Sequence, residues 1–381
     1  MKNIRRTICS DIEKKLFKGK AIILYGPRQC GKTTLVKDLI KIANLEPVFL
    51  NGDDDVDAEL FSTVTMSRWT QILGNKKSVF IDEGQKIKNI GRGVKLLIDS
   101  RLDVQVIITG SSSFEIATKT EEALTGRKFE YNLFPLSFFE LSSHFGFLEE
   151  QKKLELRLIY GSYPEVVTHE DSMKELLKLI SNSYLYKDLF QYEGIRKPQI
   201  LEKLVKALAF QVGSEVSVNE LSSFIGVSRT IIDSYLNLLC QAFIIFPLAS
   251  YSTNQRNELK KSVKYYFWDN GIRNSVINDF SPLVNRKDVG QLWENYLVSE
   301  RLKKNRYSQA EGFEYFWRTT DQMEVDYLEV KSNSIDAYEF KWNTSKKSRV
   351  TKAFTNRYPK AKIHVITPKN YVEFLGEEIK E

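Results

Sequence analysis

The sequence predicts an α/β fold: a parallel sheet with helices on both faces, then helical and mixed segments. Three observations carry that expectation. Short apolar runs (AIILY, SVFI, VQVIIT) recur between helical patterns from residue 20 to residue 135, the alternation that builds a parallel sheet. A glycine-rich turn, GPRQCGKT, joins the first run to a helical pattern with Leu35, Leu39 and Ile40 on its inner face. Far downstream, EVDYLEVKSNSIDAYEFKW alternates apolar residues along two arms, as a β-hairpin does.

With 381 residues the chain is long enough for two or three domains, each with its own core. Hydrophobic residues at 42% and charged residues at 28% exclude wholesale disorder. No apolar run approaches the roughly 20 residues that cross a bilayer, and the basic start MKNIRRTICSDIEKK lacks the apolar stretch of a secretory signal. Cys9, Cys30 and Cys240 fit no metal or redox spacing, and His144, His169 and His364 lie far apart. A cytoplasmic chain with reduced thiols and no membrane partner is expected. Its net charge of +7 favours acidic partners without naming them.

GPRQCGKT matches G-x-x-x-x-G-K-[ST], a phosphate-binding loop. Gly26, Pro27, Arg28, Gln29, Cys30 and Gly31 would curl the backbone so that its amides converge on phosphate oxygens. Lys32 would reach the β- and γ-phosphates of ATP, Thr33 would ligate Mg²⁺ with Thr34 beside it, and the helix start adds partial positive charge. Downstream, the run SVFI ends in Asp82 and Glu83. Asp82 is expected in the Mg²⁺ shell and Glu83 as the base that polarises water. The next run ends in Thr109 and Ser111, candidates to orient that water or sense the γ-phosphate. Arg127 could stabilise phosphoryl charge, in its own subunit or in a neighbour within a homo-oligomer; it could equally pair with a local carboxylate such as Glu130.

GPRQCGKTTL, FIDEGQK, ITGSSS, GRKFEYNLFPLSFFEL and YGSYPEVV stand in this order. Together they make the chain resemble a family of bacterial and archaeal AAA-type P-loop ATPases. There the ATPase domain precedes a helical connector and a C-terminal region of unknown function. Gly-Arg, then PLSF-x-E, then G-x-x-P-E are the family-specific parts. Gly84 departs from the pattern, since the family usually has an apolar residue after the Asp-Glu pair. The expected divisions are an ATPase domain over 1–148, a connector over 149–205, a winged helix-turn-helix over 206–267, and a restriction-endonuclease-like α/β domain over 268–381.

SVNELSSFIGVSRTIIDSYLNLL reads as helix, turn at Ile225-Gly226-Val227, and a second helix opening at Ser228. Arg229 and Asn237 are too few to read base edges well, with Asp233 offsetting them, so packing or protein contact is expected. Arg256, Lys260, Lys261 and Lys264 form a basic wing that could touch phosphate.

In the hairpin, Asp326 on one arm and Glu339-x-Lys341 on the other have the layout of metal-dependent nucleases. Two carboxylates would hold Mg²⁺ over a phosphate and the lysine would orient water. Glu294, on an amphipathic helix, could be a further ligand. The tripeptide is cheap, recurring at Glu329/Lys331 and Glu378/Lys380. The resembled family carries the same Glu, Asp, Glu-x-Lys series. Beyond Glu339 no acid occurs before Glu373, while Lys346, Lys347, Arg349, Lys352, Arg357, Lys360 and Lys362 do, a tract suited to DNA or RNA. The expected function is an ATP-binding, ATP-hydrolysing switch coupled to a nucleic-acid-facing C-terminal domain that is a candidate nuclease. The alternative is a nucleotide-dependent protein- or DNA-binding module with an inactive nuclease-like domain.

Overall fold

A computed structural model describes the protein over residues 3–62, 65–100, 102–111, 123–182, 197–252, 262–319, 323–332, 334–343 and 352–376. The chain divides into two compact units: Met1–Leu136 with Gln241–Phe243, and Ser137–Cys240 with Ile244–Glu381.

In the first unit, β1 (Ala21–Tyr25), β2 (Pro47–Asn51), β3 (Ser78–Asp82), β4 (Gln105–Gly110) and β5 (Lys128–Asn132) form one sheet in the order β2-β3-β4-β1-β5. Every pairing is parallel. All residues of β1 and β4 are buried, which is why these central strands read as continuous apolar runs. The helix Lys32–Ile42 buries Leu35, Val36 and Leu39, so Val36 takes the inner place expected of Ile40.

This unit ends at Leu136, short of the expected 148. Ser137 begins new structure. Its hydroxyl accepts the Glu140 N–H and Glu140 returns to the Ser137 N–H, a complete capping box for the helix Phe138–Phe145. The Phe138 N–H then donates to Glu300 Oε2 at 2.7 Å, tying the PLSF-x-E motif into the second unit. The other family-specific motif is equally structural. Gly161 has φ 68°, and a Cβ there would lie 2.1 Å from Asp269 Oδ1. Asp269 accepts the Ser162 N–H at 2.7 Å and the Ile272 N–H at 3.0 Å.

Within the second unit, β6 (Glu215–Val216), β7 (Ile245–Ala249) and β8 (Val263–Phe267) make an antiparallel sheet in the order β6-β8-β7. Between β6 and β7 run the helices Val218–Ile225 and Arg229–Gln241, separated by Gly226 in the left-handed conformation. A second sheet has the order β12-β11-β10-β9, from β9 (Phe313–Arg318), β10 (Glu324–Lys331), β11 (Ser334–Phe340) and β12 (Lys362–Ile366). The hairpin read from the sequence is β10–β11, closing at Lys331↔Ser334. Trp317, Val325, Leu328, Ala337 and Phe354 form its core. The sheets meet where Ser250 bridges Phe316 and the Tyr251 N–H donates to Phe316 O at 2.7 Å. The helix Val289–Tyr307 packs against β8 and β11 and carries Glu294 between them.

Candidate functional site

The loop after β1 bends through Gly26 (φ 158°), Gln29 in the left-handed region (φ 59°) and Gly31 (φ 97°) before the helix opens at Lys32. Close packing demands glycine at 26, since a Cβ there would stand 2.2 Å from Leu133 O. Pro27, Arg28, buried Cys30 and Thr34 complete the turn and first helical residues. Arg6 is buried and braces it: its guanidinium donates to Cys30 O at 2.7 Å and to Phe134 O at 2.6 Å. Lys32 is buried and donates to the carbonyls of Gly26 and Pro27, each at 2.9 Å.

Parallel β1, β3 and β4 end side by side, so the predicted residues converge. Thr33 Oγ1 donates to Asp82 Oδ2 at 2.9 Å, and Thr109 Oγ1 donates to Asp82 Oδ1. Glu83 sits in the left-handed region at φ 50°, a conformation a non-glycine residue adopts at some cost. Gln85 Nε2 donates to Glu83 Oε2 at 2.5 Å and to Ser111 Oγ at 2.9 Å. One hydroxyl and one carboxylate at the mouth of a phosphate loop suit Mg²⁺, which keeps a few protein oxygens and takes the rest from phosphate and water.

The C-terminal residues also converge. Glu294, Asp326, Glu339 and Lys341 line one cavity of about 520 Å³. The β9–β10 register shifts between Val325 and Leu328, and such irregularities re-aim side chains; Asp326 lies there. Its Oδ2 accepts the Phe340 N–H at 2.7 Å. Burial, and after it the charge of Glu294, lifts the Asp326 carboxyl well above its ordinary range. Lys341 Nζ lies 2.6 Å from Glu339 Oε1. Glu294 Oε1 accepts from Tyr266 OH at 2.6 Å and from Lys264 Nζ at 3.1 Å. Lys264 also donates to Glu324 Oε1. Among the described residues no three Asp, Glu, His or Cys side chains are grouped to hold a metal ion. Glu294, Asp326 and Glu339 are each engaged by a cation or by an N–H or O–H donor of the protein.

Comparison with known proteins bears on both units. Residues 18–142 match the family described as AAA domain. This stretch is an AAA domain. Residues 289–380 match a Domain of unknown function (DUF4143), and residues 151–283 match another (DUF8612). An uncharacterised protein of Methanocaldococcus jannaschii is 26% identical over 371 residues, covering 92% of this chain and 81% of its own length. One of Haemophilus influenzae is 26% identical, covering 82% of this chain and 80% of its own. One of Mycobacterium tuberculosis is 27% identical, covering 86% and 71%. Among solved structures, a Thermotoga maritima RuvB mutant aligns at 16% identity over 63% of this chain and 87% of its own, with a TM-score of 0.34.

Two expectations need correction. In the AAA domain Arg127 precedes β5, and its carbonyl accepts the Ala21 N–H that opens β1. It therefore stands at the end of the sheet opposite the phosphate loop, and a role in its own subunit's site is withdrawn. Its Nε pairs with Asp99 Oδ1 at 2.6 Å, not with Glu130. The hydrogen bond from Arg127 holds the Asp99 carboxyl below its ordinary range. Lys264, expected on an exposed wing, is 1% exposed and locked among carboxylates. Burial alone would discharge it, but Glu294 and Glu324 outweigh that and raise its pKa. Arg256, Lys260 and Lys261 lie outside the described residues, as do Lys346, Lys347, Arg349 and the Lys352 side chain.

Sequence reasoning missed Arg6, Gln85 and Tyr266, and gave Lys264 a different place. Gln85 was visible in FIDEGQK, without a role. Period-2 alternation puts Lys264 on one strand face with Tyr266, the signal that it points inward. No local signal marks Arg6. Among the described residues no helix is long and apolar enough to cross a membrane.

Proposed function

We propose that the chain is an ATP-binding, ATP-hydrolysing switch whose AAA domain controls what its C-terminal domain binds. The observation that carries this is the double engagement of Asp82, by Thr33 from the phosphate loop and Thr109 from β4, beside Lys32 and Glu83. With Mg-ATP bound, Lys32 would exchange the Gly26 and Pro27 carbonyls for phosphate oxygens. Thr33 and Asp82 would hold Mg²⁺, whose charge offsets that of the phosphates. Glu83, steadied by Gln85, would take a proton from water, and Gln85 would carry the signal of the γ-phosphate to Ser111. Glu83→Gln should retain ATP affinity and lose turnover on the order of 100-fold, while Lys32→Ala should lose binding in a titration. Unchanged turnover in Glu83→Gln sinks the hydrolytic role, and no affinity for Mg-ATP sinks the whole reading.

For the C-terminal domain, the engaged carboxylates favour binding of nucleic acid or protein over cleavage. Purified chain mixed with labelled DNA or RNA, Mg²⁺ or Mn²⁺, with and without ATP, should leave the strands intact. ATP should alter binding measured by fluorescence anisotropy. Metal-dependent cutting that Asp326→Ala abolishes would restore the nuclease reading.

A further inference from the structure

We propose that Lys264 is a built-in counter-cation that closes the C-terminal carboxylate cavity to divalent metal ions. The inference deepens the binding-only reading of that cavity and rests on it, but it concerns metal entry rather than cleavage.

Lys264 leaves the middle strand of its sheet, with Leu248 of β7 and Glu215 of β6 as partners on either side. That double pairing leaves its backbone no room to retreat. The ammonium lies 3.1 Å from Glu294 Oε1, bonds Glu324 Oε1, and sits 5.2 Å above the centre of the Phe316 ring. Arg318 backs the far side, 3.6 Å from Glu324 Oε2 and 3.5 Å from Glu215 Oε2. Tyr266 OH donates to the same Glu294 Oε1 at 2.6 Å.

An ammonium is a compact charge with three donors. Drawing together carboxylates from a helix and a strand is the work a divalent ion would do here. A metal ion entering this place would have to expel a buried charge and leave it unpaired, which is strongly unfavourable. Lys341 pairs with Glu339 at 2.6 Å, so Glu339 and the Glu294–Glu324 pair each already carry a lysine.

The test is Mn²⁺ titration of nucleotide-free full chain, read by the fall of the free-ion electron paramagnetic resonance signal. Wild type and Asp326→Asn should bind equal Mn²⁺. Lys264→Met keeps the side-chain length without the charge and should gain one further site, at least about tenfold tighter than any wild-type site. Glu294→Gln in that background should remove it. Mn²⁺ should also raise the melting temperature of Lys264→Met by more than it moves the wild type, since a ligand stabilises the state it binds. Overturning results are a wild-type site lost in Asp326→Asn, or folded Lys264→Met binding no more Mn²⁺ than wild type. If Lys264→Met fails to fold, the comparison of wild type with Asp326→Asn decides. Loss of cleavage or of nucleic-acid binding would bear on the preceding reading alone.

Discussion

Gly84 shows how one residue can depart from a pattern and still be required. A Cβ there would stand 2.6 Å from Ile108 Cγ2 and 2.9 Å from Ile90 Cδ1. The apolar residue usual in the resembled family has no room beneath β4. Glycine at this position lets the Glu83 turn pack. Gly84→Ala should therefore destabilise the AAA domain by about 1–3 kcal/mol through overpacking, read in denaturant melts. ATP turnover should fall more than ATP affinity, because the displaced turn carries Glu83 and not the phosphate loop. A variant that melts like wild type contradicts this packing account.

Capping and close packing explain the family-specific motifs at the level of elements. In PLSFFEL, Ser137 and Glu140 satisfy two free N–H groups of the helix Phe138–Phe145, and Glu300 takes a third. Ser137→Ala should cost about 1 kcal/mol in urea melts, typical of a lost N-cap, without changing ATP affinity. Glu140→Gln should be milder, because an amide can still close the box. In YGSYPEVV, the glycine makes room for Asp269 and Ser162 supplies the N–H that holds it. These motifs specify how the second unit is built, and no chemistry need be assigned to them.

For the molecule as a whole, one contribution to acid stability comes from the paired carboxylate of Asp288. Burial would raise Asp288, but hydrogen bonds from Arg286 and Arg273 outweigh it and bring it down to about 2. The bonds are 2.8 Å from Arg286 and 2.5 Å from Arg273, both buried. A depressed carboxylate stabilises the folded state above its unfolded pKa and stops doing so as pH falls through the folded value. The loss thus falls between about pH 4 and pH 2. With the Asp288 side chain a quarter exposed, screening leaves a contribution of about 1–2 kcal/mol. Asp288→Asn should flatten that limb of the stability curve measured by chemical denaturation. An unchanged limb shows that the arginines hold Asp288 for reasons unrelated to charge.

Local pattern was enough for much of this protein. The phosphate loop, the strand ending in Asp82 and Glu83, the paired helices around Gly226 and the β10–β11 hairpin each depend on neighbours in the chain, and each was legible. So was the gathering of Glu294, Asp326, Glu339 and Lys341, through their place in a resembled series. The folded chain alone decided which end of the sheet Arg127 occupies, that Arg6 braces Cys30, and that Lys264 turns inward to Glu294 and Glu324. The physical reason is separation. A strand's alternation tells which face a side chain takes, but the charge it meets there comes from a segment 30 or 60 residues away. In a buried place that distant partner determines whether a lysine is solvated, paired or standing where a metal would sit.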